Sequence, residues 1–73
     1  MSILKVIEVM SNSGTSWEDA AQQAVTEASK TIKNIRSVYI KEQTATVNGG
    51  QITEYRVNVK LTFEIDHSLH DQH

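Results

Sequence analysis

Across residues 53–65, apolar and polar side chains alternate without a break. Tyr55, Val57, Val59, Leu61, Phe63 and Ile65 fall on one parity, and Glu54, Arg56, Asn58, Lys60, Thr62 and Glu64 on the other. Successive side chains of a strand leave on opposite faces, so the segment predicts one long strand with a dry face and a wet face. A dry face of that length needs cover, and the rest of the chain offers a single helical segment to supply it. The wet face is where a ligand or a neighbouring subunit has to sit.

The helical segment starts at Trp17. Apolar and small residues recur at 17, 20, 21, 24, 25, 28 and 32, one stripe whose alanines allow a sheet to come close. Thr15 or Ser16 is expected to cap it, with Glu18 or Asp19 at the capping-box spacing, and the helix should fade near Lys33 and Asn34. The stripe marks Trp17 for the core, together with Ala21, Ala24, Ala28 and Ile32. Upstream, residues 3–10 suit a short strand, and Ser11-Asn12-Ser13-Gly14-Thr15 is a dense turn cluster. Residues 35–47 read as a further strand with Val38 and Ile40 on one face and Tyr39 and Lys41 on the other. Asn48-Gly49-Gly50 follows at once, and residues that accept positive φ cheaply signal a hairpin. The expected fold is α+β, in the order β-α-β-β. A three-stranded antiparallel sheet partly wraps one helix and keeps its far face polar and open.

Seventy-three residues make one domain, expected to span 1–66, followed by a polar histidine-containing tail at 67–73. Without cysteine, neither a disulfide nor a thiolate zinc site can staple so small a core, and strands this long imply an oligomer. A net charge of −2 argues against a nucleic-acid partner, which needs a basic face. No apolar run approaches a membrane span and the first residues lack a signal-peptide layout, so a soluble cytoplasmic protein with no membrane partner is expected.

The stretches LKVIEVMSNSGTSWEDAAQQAV, EASKTIKNIRSVYIKEQ and TEYRVNVKLTFEID together resemble the dodecin family over residues 3–66. The resemblance implies a hollow homododecamer of cubic 23 symmetry, with the chain's own copies as partners. It also implies a binding or storage role without catalysis. Flavin-binding dodecins hold paired isoalloxazine rings between tryptophans at a subunit interface. The position of the stacking tryptophan is Ser37 here, and that of the glutamine that bonds the flavin edge is Arg56. An aromatic face is worth on the order of 1–3 kcal/mol per stacked ring, and serine offers none. The chain is most similar to the calcium dodecin branch, which also carries Ile-Arg after the helix and Tyr-Arg in the last strand, here Ile35-Arg36 and Tyr55-Arg56.

The residues leave several readings open. Arg56 either grips a phosphate or carboxylate bidentately or pairs with Glu42 or Glu54 across a strand or interface. Tyr39, Glu42, Glu54 and Asn58 are further candidates for ligand or interface contact, and Tyr39 or Tyr55 would supply stacking surface in a degenerate flavin site. No calcium-loop motif occurs, and Glu8, Glu42, Glu54 and Glu64 fall on strands, so a calcium site would need carboxylates from several subunits; its ligands are unknown. His67, His70 and His73 read as a polar tail with adventitious metal affinity. Nothing assembles a catalytic constellation, so no enzyme is expected. The expected function is ion or small-ligand storage with no tightly bound cofactor. A flavin-binding dodecin with a degenerate site and a purely structural oligomer are the alternatives.

Overall fold

The computed structural model describes residues 3–65. Its elements are β1 (Ile3–Ser13), α1 (Trp17–Ala28), β2 (Ile35–Asn48) and β3 (Gln51–Ile65), the expected β-α-β-β order. The sheet is antiparallel with β3 in the centre, flanked by β1 and β2. Central placement suits β3, because its alternation satisfies a helix-covered face and an open face at once. The histidine tail lies outside the described residues, and no helix among those described is long and apolar enough to cross a membrane.

The core is small. Ala20, Ala21 and Ala24 of α1 meet Val57, Val59 and Leu61 of β3, and Ile7, Val9, Trp17, Val25, Ala28 and Ile40 pack around them. Alanine on the helix lets the backbone approach the sheet, which explains why Val59 and Leu61 are fully buried under so short a cover. Trp17, expected in the core, is only partly buried at its margin. Its indole Nε1 donates to the Thr44 carbonyl at 2.8 Å, and its ring meets Tyr55 edge-to-face at 5.0 Å. The polar tip of the ring finds a partner only at this margin, which is why Trp17 sits there.

Local chemistry moves two expected boundaries. β1 runs on through Ser11, Asn12 and Ser13, because these pair with Val57, Arg56 and Tyr55 of β3; ladder pairing overrides their turn preference. The turn is left to Gly14, Thr15 and Ser16. Helix α1 ends at Ala28, well before Lys33. There Ser29 Oγ donates to the Val25 carbonyl at 2.7 Å, and the Thr31 and Ile32 amides both donate to the Ala28 carbonyl. Asn34 then takes the left-handed conformation (φ 64°), which asparagine tolerates, and its carbonyl accepts the Glu64 amide. The β2–β3 turn places Gly49 and Gly50 at φ 61° and 77°, the two positive values that a two-residue hairpin loop requires.

Of the two candidate caps, Ser16 serves: its hydroxyl accepts the Asp19 amide at 2.9 Å. The reciprocal half of a capping box does not form. Asp19 instead accepts from Ser13 Oγ at 2.6 Å and Gln23 at 2.7 Å, while Ser13 Oγ accepts the Thr15 amide. Ser13 is buried and fastens the end of β1 to the first turn of α1. Replacing Ser16 with alanine should cost about 1 kcal/mol in chemical denaturation, and replacing it with glycine only a few tenths. Equal losses in the two variants would contradict the assigned cap.

Candidate functional site

The sheet face away from α1 carries the candidate residues. Antiparallel partners share a face, so the register lays out its rows. Val6, Thr62 and Ser37 form one row; Glu8, Lys60 and Tyr39 the next; then Met10, Asn58 and Glu42; then Asn12, Arg56 and Thr44; Glu54 and Thr46 close the series. The β3 half of this face is polar, as its alternation required. The expectation that the whole face is polar does not hold. Leu4, Val6 and Met10 of β1 stand on it at 58%, 56% and 73% exposure, and Tyr39 of β2 at 64%. Lys5 and Glu8 interrupt the apolar run of β1 in the sequence and mask its two-residue period.

Lys41 bridges the face. A register shift between Ile40 and Glu42 makes room for an extra β2 residue there, and bulges of this kind re-aim a side chain. Lys41 Nζ reaches Glu8 on β1 at 3.2 Å, crossing above the central strand. The Lys41 hydrogen bond, with a second from Asn58 and the charge of Lys60, holds the Glu8 carboxyl below its ordinary range. The Asn58 carbonyl oxygen is buried and unpartnered among the described residues. A second bridge closes the far end, where Arg36 binds Glu64 through Nε at 3.0 Å and Nη2 at 2.7 Å.

Arg56 differs from both. It is exposed between Asn12 and Thr44, and among the described residues it makes no ion pair within the chain. Pairing with Glu42 or Glu54, one of the two sequence expectations, is therefore not made inside one chain. Glu42 lies on the diagonal beside Thr44, and Glu54 two residues away along β3, both exposed.

The two positions expected to meet a ligand together do not meet. Ser37 faces Thr62, six residues along β3 from Arg56, so roughly 20 Å separates them at about 3.3 Å per residue. A site using both must draw them from different copies. Ser37 also borders a cleft of about 250 Å³ with Gln22, Val25, Ile35, Arg36 and Val38. Of the two tyrosines, Tyr39 stands beside Ser37 on the open face, whereas Tyr55 faces the helix and is engaged by Trp17. Among the described residues no group of three or more acidic or histidine side chains could hold a metal, so these residues of one chain do not gather the carboxylates of a calcium site, which takes six to eight oxygens. The Lys41–Glu8 bridge and the buried Asn58 carbonyl were not legible in the sequence, since the bulge that aims Lys41 has no residue signature.

The depressed pKa of Glu8 belongs to the folded state, so its stabilising contribution is present above the unfolded value. It is lost as pH falls through the folded one. Carboxyl NMR should find Glu8 titrating below ordinary glutamates, and Lys41→Met should move it upward; an unmoved titration would remove Lys41 as the cause.

Comparison with known proteins places this geometry in a family. The Dodecin family model matches residues 3–66. Calcium dodecin of Mycobacterium tuberculosis is 35% identical over 65 residues, covering 89% of this chain and 92% of that protein. Its solved structure, described as that of a calcium chelating antigen with a novel calcium-binding site, superimposes with a TM-score of 0.75 at 36% identity, covering 90% of this chain and 94% of that one. A point mutant of the T. thermophilus dodecin gives a TM-score of 0.85 at 26% identity (90% and 98% covered), and the dodecin of Streptomyces coelicolor 0.84 at 27% (92% and 96%). The family match over nearly the whole chain and the shared sheet-and-helix fold lead to one conclusion: the chain belongs to the dodecin family.

Proposed function

We propose that this protein is a binding and storage protein without turnover, working as a hollow homododecamer that holds calcium or a phosphate-bearing small molecule on the open sheet face near Arg56. Arg56 carries the reading. Arg36 and Lys41 are neutralised by Glu64 and Glu8, while the Arg56 guanidinium is exposed mid-strand with no ion pair among the described residues. An unspent planar fork of this kind suits phosphate or carboxylate. Calcium is favoured by likeness to a relative named for that ion. Glu42 and Glu54 supply exposed oxygen ligands on the same face, and several copies have to share the ion. The ligand-binding unit ends at residue 66 in this reading, leaving the histidine tail outside it.

Among the described residues, the serines and the acid at the helix start that could have served catalysis are engaged in structure. Ser13 and Ser16 are spent on the helix start, and Asp19 is held below its ordinary pKa by Ser13 and then Gln23. A cytoplasmic setting fits a storage role for ions or nucleotides. One observation favours a second reading: Tyr39, exposed two residues from Ser37, offers an aromatic face to a weakly held flavin.

Thermal melting with calcium, FMN and riboflavin separates these readings. A ligand at one hundred times its dissociation constant stabilises the native state by about 2.7 kcal/mol. Calcium and FMN should raise the midpoint and riboflavin should not, and Arg56→Gln should abolish the FMN response while sparing that of calcium. Equal shifts from riboflavin and FMN would favour stacking on Tyr39, and no shift from any ligand would leave a structural oligomer.

If Ser37 and Arg56 are what exclude a flavin stack, Ser37→Trp combined with Arg56→Gln should create riboflavin fluorescence quenching at micromolar protein. A double variant that assembles normally and leaves the fluorescence unchanged would sink that assignment.

A further inference from the structure

Four asparagines occur in the chain, Asn12, Asn34, Asn48 and Asn58, and only Asn48 is followed by glycine. Asparagine is thermolabile because its carboxamide can be attacked by the amide nitrogen of the next residue. The side chain on that next residue decides how freely the two groups meet. Ile35 after Asn34 and Val59 after Asn58 crowd the nitrogen with a branched carbon. Ser13 after Asn12 is buried, its hydroxyl held between Asp19 and the Thr15 amide. Gly49 presents no side chain at all.

The hairpin leaves Asn48 and Gly49 open to each other. Asn48, Gly49 and Gly50 are all exposed. Asn48 is the last residue of β2 and pairs with Gln51, so the ladder stops just short of the Gly49 amide. Among the described residues, neither that amide nor the Asn48 carboxamide makes a hydrogen bond. Apart from its chain neighbours, no atom lies within 4 Å of where a side chain on Gly49 would begin. Asn12 and Asn58 are placed otherwise, inside the ladder opposite Arg56 and Met10. Asn34 is tied through its carbonyl to the Glu64 amide.

We propose that Asn48 is a self-modification site, at which the Gly49 amide closes on the carboxamide and converts it to aspartate and isoaspartate. In the first step the Gly49 nitrogen bonds to Cγ of Asn48 and gives up its proton. The bond from Cγ to Nδ2 breaks, and the side-chain amide leaves with that proton as ammonia. Water, the one co-reactant, then adds to either carbonyl of the resulting succinimide. Breaking the bond from nitrogen to Cγ yields aspartate. Breaking the bond to the main-chain carbonyl routes the backbone through Cγ and yields isoaspartate. Both products add one negative charge to a chain of net charge −2. The isoaspartyl form also inserts a methylene into the backbone directly before the two-residue loop.

Trypsin releases residues 42–56 as one peptide with Asn48 as its single asparagine, which gives the test its readout. Native protein is held at mildly alkaline pH, well below its melting midpoint, then digested and analysed by mass spectrometry. The peptide should give two chromatographically distinct products in which acid replaces amide, one of them labelled by an isoaspartate-specific methyltransferase. Its loss should run within about tenfold of that of a synthetic peptide of the same residues. Asn48→Gln, whose longer side chain closes the ring far more slowly, should stay unmodified. A slower reaction than that in the native protein, or one that begins only when urea unfolds it, would overturn the proposal, because the folded turn would then shield the pair. Equal conversion at Asn12, Asn34 or Asn58 would overturn it as well, since the hairpin would then confer no selectivity.

Discussion

The structure depends on a mismatch of lengths. A twelve-residue helix extends about 18 Å, while a fifteen-residue central strand extends about 50 Å. One helix therefore covers only the middle of one sheet face. The buried core is three alanines against Val57, Val59 and Leu61, and no cysteine staples it. Domains of this size fold alone only with compact cores or outside help. In the proposed assembly the help comes from other copies of the chain, which cover the surfaces that the mismatch exposes.

The same mismatch frees the open face for function. Because the helix takes one parity of β3, the other is left to Glu54, Arg56, Asn58, Lys60, Thr62 and Glu64, exposed at the first two and half-buried at the other four. Two ion pairs, Glu8 with Lys41 and Arg36 with Glu64, fasten the outer strands and engage three of their five charges, leaving Lys5 and Glu42 outside them. Such exposed bridges contribute little energy singly. Their larger effect is selective, since they engage Arg36 and Lys41 and leave Arg56 and Lys60 of the central strand without an ion pair among the described residues. Ser37 and Arg56 lie too far apart to serve one ligand from one chain, so the proposed binding and the proposed assembly are a single problem.

Much of this was legible in the residues. The alternation of β3 identified its buried members, the alanine stripe identified the face of α1, and Asn48-Gly49-Gly50 placed the hairpin. The errors share a cause: each concerns a residue preference that the hydrogen bonds or packing actually formed overrule. Ser11, Asn12 and Ser13 look like a turn but are drawn into the ladder by Val57, Arg56 and Tyr55. The helical stripe reaches Ile32, yet Ser29 and the Ala28 carbonyl close the helix first. Trp17 belongs to the apolar stripe, but its indole hydrogen settles it at the margin beside Thr44. The apolar outer row of β1 was hidden because Lys5 and Glu8 break its period. The Lys41 bridge was hidden because a bulge changes which way a residue points without changing its type.

The central claim is that a chain unable to bury its own sheet does so by assembling around a site that does not retain flavin. Native mass spectrometry of the protein as purified, with no ligand added, tests it most directly. The account predicts a species at twelve chain masses carrying no flavin, with small-ion adducts at most. Twelve masses with riboflavin bound in whole numbers would contradict the roles given to Ser37 and Arg56, and a monomer would contradict the dependence of the fold on its copies.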